Sequence, residues 1–424
     1  MRLAVLFPFI GLLACSPDAG ALDGHWSGTA LHEGRSQRVE LDVDTRRASG
    51  LLRIDEERVL RRVPLKISGS RFAFAIDTDD HITVTGERYR DEIRMEAVSG
   101  PVRVPIRLKR ATVQPSPPYV EEEQEFSGDG GFRLRGAMLV PQGEGPHPGV
   151  VLIHGSSTPS REDFRFYADA FARCGFATLI YDKRPVVGPD RAARTTLQEL
   201  AMDARAGAEL LRTEPRIDAA RVGYWGHSQG GWAAPIAAAA DARTAFVVSF
   251  SGPVASYAEV NRYADTERLR RRGFSRDEVE AARAALDRLD DYVRHGGDHE
   301  SLSRFLEAAR RERWAPLISL TNRVPTGDDR RTWLRWRDQD IGIATYWKQI
   351  RAPVLALFGA NDDVVPVRLS AERLKAAMKA GGNQDLTIRI FEAGHSIEGQ
   401  SEFMPLMIRW LRSKGGIAPR AGCQ

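Results

Sequence analysis

From about Glu121 onward the chain alternates short, almost wholly apolar runs with helical stretches of ten residues or more, and no other feature restricts the fold as tightly. PGVVLIHG, FATLIYD, RVGYWG, TAFVVSFSG and PVLALFGA are the apolar runs, and DLTIRIFEAG is a further, more polar strand. Between them or after them fall EDFRFYADAFARCG, TTLQELAMDARAGAELLRTE, the alanine run behind Gly230, and SEFMPLMIRWLRS, each with helical spacing of apolar residues. A strand apolar at every position is buried on both faces, and a helix between successive strands brings the chain back to start the next one in the same direction. The expectation is an α/β fold: a mostly parallel sheet with helices on both faces. One block breaks the alternation. Residues 254–351 are charged, rich in Arg and Glu, and carry helical patterns such as SRDEVEAARAALDRLDDYVRHGG; inserted into a regular α/β order, they read as a helical cap.

Upstream the pattern has a different period. Residues 22–110 hold about eight runs that alternate polar and apolar residues, among them HWSGTALH, RVELDVD, RVPLKISG, RFAFAID and VPIRLKR, separated by Gly, Asp and Ser. Period-two alternation between turn residues marks antiparallel strands with one buried face, so this segment is expected to be a small all-β domain, a barrel or a sandwich. Its opening Trp26-Ser27-Gly28 resembles the first strand of lipocalin-like barrels. Prolines at 115, 117 and 118 make residues 111–120 a stiff linker to the catalytic domain, 121–424.

The first 21 residues read as a processing region. MRLAVLFPFIGLLAC is one arginine ahead of an apolar run too short to span a bilayer as a mature helix, and it ends in small residues as an export signal does. Two cleavage sites compete: Leu12-Leu13-Ala14-Cys15 resembles a lipobox that would lipidate Cys15, and Ala19-Gly20-Ala21 would release a soluble chain beginning at Leu22. Either way the protein is expected to be exported, as a periplasmic or outer-membrane lipoprotein or a secreted protein, with membrane attachment only through Cys15. The two other cysteines, Cys174 and Cys423, imply no disulfide framework, Cys423 lying in a tail that contains Gly and Pro. With 61 basic against 57 acidic residues and no basic run interleaved with aromatics, no nucleic-acid groove is expected. No His, Cys or Asp cluster has metal-ligand spacing, so neither a metal nor an organic cofactor is expected.

Chemistry concentrates at three places. Gly226-His227-Ser228-Gln229-Gly230 fits G-x-S-x-G at a junction between the apolar RVGYW and an alanine-rich helix. A serine on so sharp a turn points its hydroxyl out of the sheet, and the glycines two before and two after leave room for the backbone to fold on itself. A hydroxyl needs a base and the base needs a carboxylate. Asp362, third after Gly359, and His395 in Gly394-His395-Ser396 both follow apolar strands, where sites of open α/β sheets collect. Asp363 reads as a solvated neighbour of Asp362, His227 belongs to the turn itself, His154 reads as structural, and His295 and His299 as exposed residues of the insertion.

Taken in order, HGSS at 154–157, YDKRP at 181–185, GHSQGG at 226–231, GANDDVVP at 359–366 and GHS at 394–396 resemble the α/β-hydrolase superfamily from about Glu121 to Lys414. The resemblance is nearest to bacterial secreted carboxylesterases of the dienelactone hydrolase and prolyl-oligopeptidase-like group. It implies an α/β-hydrolase fold and a catalytic set of Ser228, Asp362 and His395. It also implies an oxyanion hole made by the backbone N–H groups of Gln229 and Ser156, and a small acyl ester as substrate. The chain departs from the family pattern at Pro185, where glycine usually follows YDKR, and at HGSS, which lacks the last glycine of HGSG. Serine at 228 separates it from true dienelactone hydrolases, whose nucleophile is cysteine. Tyr181-Asp182-Lys183-Arg184 reads as a structural salt-bridge loop. A peptidase or thioesterase would use the same three residues; a surface-anchored binding lipoprotein would use none of them.

Overall fold

The computed structural model describes residues 22–424 except 33, 77–80, 113–115, 157–159, 186–194, 322, 328–329, 331–341, 417–422 and 424. The processing region with Cys15, and Ser157 of HGSS, therefore lie outside the described residues. The chain divides into two compact units, Met1–Ser116 and Pro117–Gln424.

The first unit is one antiparallel sheet of nine strands: β1 (Gly24–His32), β2 (Arg35–Asp44), β3 (Ser49–Ile54), β4 (Val59–Pro64), β5 (Lys66–Ser68), β6 (Arg71–Ile76), β7 (Ile82–Tyr89), β8 (Glu92–Ser99) and β9 (Val102–Arg110). Their spatial order is β4-β3-β2-β1-β9-β8-β7-β6-β5, and β4 also lies against β6, so the sheet curls into a nearly closed barrel. Eight runs become nine strands because RVPLKISG breaks at Pro64, which has no N–H to continue a ladder. Inward residues such as Val39, Leu41, Phe72, Val84, Ile93 and Leu108 form a single core. Trp26 is fully buried within it; its indole N–H donates to Leu22 O at 2.8 Å and the Arg110 guanidinium lies over its ring.

The second unit carries an eight-stranded sheet. A hairpin, β10 (Tyr119–Ser127) and β11 (Arg133–Pro141), opens it, followed by β12 (His147–Ile153), β13 (Ala177–Tyr181), β14 (Ile217–His227), β15 (Val247–Phe250), β16 (Val354–Gly359) and β17 (Leu386–Phe391). The order is β10-β11-β13-β12-β14-β15-β16-β17, with β12 to β17 parallel and the hairpin antiparallel. This edge hairpin was not among the expected strands, because EEEQE on β10 has none of the apolar run that marks the buried ones. The expected linker also ends early: β10 starts at Tyr119, inside 111–120.

Period-two alternation sends neighbouring residues of a strand into different cores. Val151 and Ile153 face α2 (Leu197–Thr213) and α3 (Gly230–Ala239); Val150 and Leu152 face α1 (Arg165–Arg173) and the C-terminal helix. The chain runs outward from β12 through α1 to β13, then crosses back by α2 to β14 on the other side of β12. The strand order therefore reverses between β12 and β14, and the loops leaving their carboxyl ends border the crevice where such sheets bind ligands.

The insertion begins with α4 (Tyr257–Arg271), α5 (Arg276–His295) and α6 (His299–Ala309). Ser256 and Glu259, and Ser275 and Glu278, form capping boxes that start α4 and α5. Residues from Leu269 to Val324 bury a core of their own. The stretch 254–351 is not cap throughout, however. Its last helix, α7 (Ile343–Gln349), buries Ile343 and Trp347 in the same core as α3 and α8 (Val367–Ala380), and so belongs to the sheet's own helical layer.

The reading of the cysteines is corrected. Cys174, buried at the end of α1, is disulfide-bonded to Cys423, which follows the last helix, α9 (Phe403–Gly415). Two cysteines 249 residues apart cannot be matched from sequence; they meet because α1 and α9 share one face of the sheet.

Candidate active site

Ser228 sits between β14 and α3 with φ at +50°, a left-handed conformation that a side chain adopts only at a cost of about 1–3 kcal/mol. The neighbouring strand and helix hold it there: Ser228 N–H donates to Phe250 O of β15 at 2.8 Å, and Gly231 N–H of α3 donates to Ser228 O at 2.8 Å. The glycines are required sterically. A Cβ on Gly226 would lie 2.1 Å from Gly230 O, and one on Gly230 would lie 2.3 Å from Ile153 O. The turn can be this tight only where both side chains are missing. α3 begins two residues later, with the positive end of its dipole toward the serine.

The other two residues arrive on adjacent parallel strands. Asp362 follows β16 and His395 follows β17, and the two loops are tied by Ala360 N–H to Phe391 O and Asn361 N–H to Ala393 O. His395 Nδ1 is 2.8 Å from Asp362 Oδ2, and His395 Nε2 is 3.1 Å from Ser228 Oγ. Asp362 is 1% exposed, and its second oxygen accepts the N–H groups of Val364 and Val365, each at 2.8 Å. Both carboxylate oxygens are thus occupied, which fixes the carboxylate plane and through it the imidazole. Asp363 is part-exposed and paired with Arg271 at 3.3 Å. The structure brings Ser228, Asp362 and His395 together in one continuous hydrogen-bonded line.

Gln229 caps the start of α3, and Ser156 follows β12, the strand beside β14. They flank the serine from the two strands where the sheet order reverses. His154 is buried, with its ring hydrogen-bonded to the Tyr181 backbone and packed edge-on against Tyr181. His227 packs against Phe250 and Trp225, its ring centroid 6.0 Å from that of His395. Burial pushes both rings down to about 3, so each is neutral at ordinary pH. His295 and His299 are exposed on the insertion.

YDKRP divides in two. Arg184 pairs with buried Asp203 through two N–H groups, in keeping with a salt-bridge loop, and the Asp182 carboxylate accepts the backbone N–H of Arg161 at 3.1 Å. Lys183 departs from that reading. Its ammonium turns to Gly155 O at 2.6 Å, Ser156 O at 3.3 Å and Gln229 Oε1 at 2.7 Å. Sequence reasoning also missed Tyr263 on α4, whose hydroxyl donates to Asp362 O at 2.8 Å, and Ser251, whose hydroxyl donates to His395 O at 2.8 Å. No local motif marks either residue, since both partners are backbone carbonyls far along the chain. Among the described residues no group of His, Cys, Asp and Glu could hold a metal ion, and no helix is long and apolar enough to cross a membrane.

Comparison with known proteins gives relatives of part of the chain. It is 30% identical over 132 residues to the thiohydrolase apmlB of Arthrinium phaeospermum, covering 31% of this chain and 42% of that protein. It is 32% identical over 131 residues to the esterase EstD of Thermotoga maritima, covering 28% and 31%. The chain thus spans well under half the length of the curated relatives it matches. Among solved structures, acetyl xylan esterase 1 from Thermoanaerobacterium sp. aligns at 19% identity and a TM-score of 0.45, covering 72% of this chain and 86% of the other. The model of the alpha/beta hydrolase family matches residues 150–403, more than half of the chain, from the middle of β12 to the start of the last helix, and the protein belongs to that family.

Proposed function

We propose that the protein is a serine carboxylesterase. In this reading Ser228 Oγ attacks the acyl carbonyl while His395 Nε2 takes its proton, and Asp362 holds the imidazole in the tautomer that can accept it and balances the charge that forms. The oxyanion of the tetrahedral intermediate is held by the N–H groups of Gln229 and Ser156, a kind of donor worth about 3–4 kcal/mol each in transition-state stabilisation. His395 returns its proton to the leaving alcohol. Water, activated by the same imidazole, then cleaves the acyl-enzyme to the acid and restores Ser228.

The observation that carries the reading is the unbroken line from Asp362 Oδ2 through His395 to Ser228 Oγ, at 2.8 and 3.1 Å. A thioester is the second reading, favoured by the relative named a thiohydrolase; a thiolate leaves by the same steps. The test is turnover of p-nitrophenyl and thiocholine esters of matched acyl length, with fluorophosphonate labelling of the purified protein. Ester cleavage and labelling are expected, both lost in Ser228→Ala with the fold intact. Persistent turnover by that variant would refute the assignment.

The proposal extends to export, with Cys15 lipidated or the chain released after Ala21. The Cys174–Cys423 bond supports it, since disulfides persist in oxidising compartments. The mass of the mature N-terminus distinguishes the two routes, and an uncleaved Met1 would rule out both.

A further inference from the structure

Among the described residues, the hydrogen bonds of the Lys183 ammonium go to Gly155 O, Ser156 O and Gln229 Oε1, none of them a carboxylate. It is 7% exposed, so the bonds are made with little competition from water. The identity of the acceptors is informative. Gly155 O and Ser156 N–H are the two ends of one peptide unit, and in a trans peptide they point in opposite directions. Holding the oxygen toward Lys183 turns the N–H away from it and fixes the rotation of the whole unit. A cation on the oxygen also draws electron density through the amide and leaves the N–H a stronger donor. The third bond clamps the side chain of Gln229, the residue that supplies the other N–H.

We propose that Lys183 is a positioning residue of the oxyanion hole, orienting and polarising the Gly155–Ser156 peptide and tying it to Gln229. The proposal rests on the esterase reading above and deepens it. It also predicts a pH dependence. A neutral amine has two N–H groups and a lone pair, so on deprotonation one of the three oxygens loses its donor and faces a lone pair. Burial pushes the Lys183 ammonium down to about 8, with the Asp163 carboxylate, from the turn ahead of α1, opposing the shift. Among the described residues His154, just after β12, also faces it and stays neutral; Gln229 does not titrate. In the same loop Asp182 and Arg184 are engaged with Arg161 and Asp203. The ammonium is present below about pH 8 and lost above it, so kcat falls as pH rises through that value.

The test uses the full mature chain and a soluble p-nitrophenyl ester, corrected for spontaneous hydrolysis, with Lys183→Met and Lys183→Arg. For Lys183→Met, kcat is expected to fall on the order of 10–100-fold, less than or close to the loss of an oxyanion donor itself, with KM nearly unchanged. The Ki of a trifluoromethyl ketone, whose hemiketal places an oxyanion in the hole, should rise by the same factor. The alkaline limb near pH 8 should vanish in Lys183→Met and move beyond the assay range in Lys183→Arg, whose guanidinium keeps its proton. Unchanged kcat in folded Lys183→Met, or a limb near pH 8 retained by either variant, overturns the proposal. If Lys183→Met does not fold, the wild-type and Lys183→Arg profiles decide alone. Loss of activity in Ser228→Ala alongside full activity in Lys183→Met would sink this inference and leave the esterase reading standing; an active Ser228→Ala would sink the reading beneath it.

Discussion

A few side chains divide between chemistry and support, and burial sorts them. His395, half-buried, is bonded on both nitrogens, to Asp362 and to Ser228. His154 and His227 lie in apolar surroundings that hold them neutral. Asp362 matters through its charge and through its geometry, and the two can be separated. Asp362→Asn keeps the shape, and its amide oxygen can still accept the N–H groups of Val364 and Val365, but an amide N–H facing Nδ1 imposes the wrong tautomer on His395. The expected result is a fall in kcat of about 10³–10⁴-fold with thermal stability close to wild type, read by steady-state kinetics and calorimetry. A loss below tenfold would show that Asp362 is not the orienting acid.

At the scale of elements, α4 belongs to two structures at once. Its Tyr257 and Val260 pack against the core of the sheet, and its Leu269 lies in the core of the insertion. Along it Glu259 pairs with Arg373 on α8, Tyr263 bonds Asp362 O, and Arg271 reaches Asn361 O and Asp363. The loop bearing Asp362 is therefore braced from above by an insertion helix as well as from beside by β17. Contact with β17 needs Gly359, where a Cβ would meet Gly394 O at 1.9 Å. Removing one brace should loosen the loop without dismantling it. Tyr263→Phe is expected to lower stability by about 0.5–1.5 kcal/mol and kcat/KM by less than about tenfold, measured by urea unfolding and ester kinetics. A larger kinetic than structural loss would mean that the cap helix sets the position of the acid.

For the whole molecule, the Cys174–Cys423 bond is the longest-range covalent link among the described residues. It joins the end of α1 to the tail beyond α9 and encloses the elements from β13 to α9. Cross-linking residues so far apart removes many conformations from the unfolded chain. Cys423→Ser should cost about 2–4 kcal/mol and lower Tm, and a reductant should lower wild-type Tm to a similar value while leaving the variant unchanged. Because the bond lies on the α1–α9 face and Ser228, Asp362 and His395 at the carboxyl ends of the strands, kcat at moderate temperature should hardly move. Equal Tm with and without reductant would exclude the bond from the native protein.

How much of this was legible in the chain follows from how local each determinant is. The buried parallel strands, the helices between them and the turn at Ser228 are written in short windows, because apolar periodicity and obligatory glycines express constraints between near neighbours. The same windows carried Asp362 and His395, each a few residues past an apolar strand. Where the determinant is a contact between distant segments, no window contains it. β10 has exposed charges and becomes a strand only because β11 pairs with it; α7 joins the sheet's core and not the cap; Cys423 finds Cys174 through two helices on one face. Lys183 shows the difference most sharply. Beside Asp182 and Arg184 it reads as one more member of a salt-bridge loop, and only the pairing of β13 with β12, which in turn pairs with β14, turns its ammonium onto the carbonyls behind the serine. Sequence by itself determined which residues could be buried, turned or made reactive; tertiary structure decided which of them meet, because a hydrogen bond across 27 or 167 residues exists only after the sheet has brought its strands together.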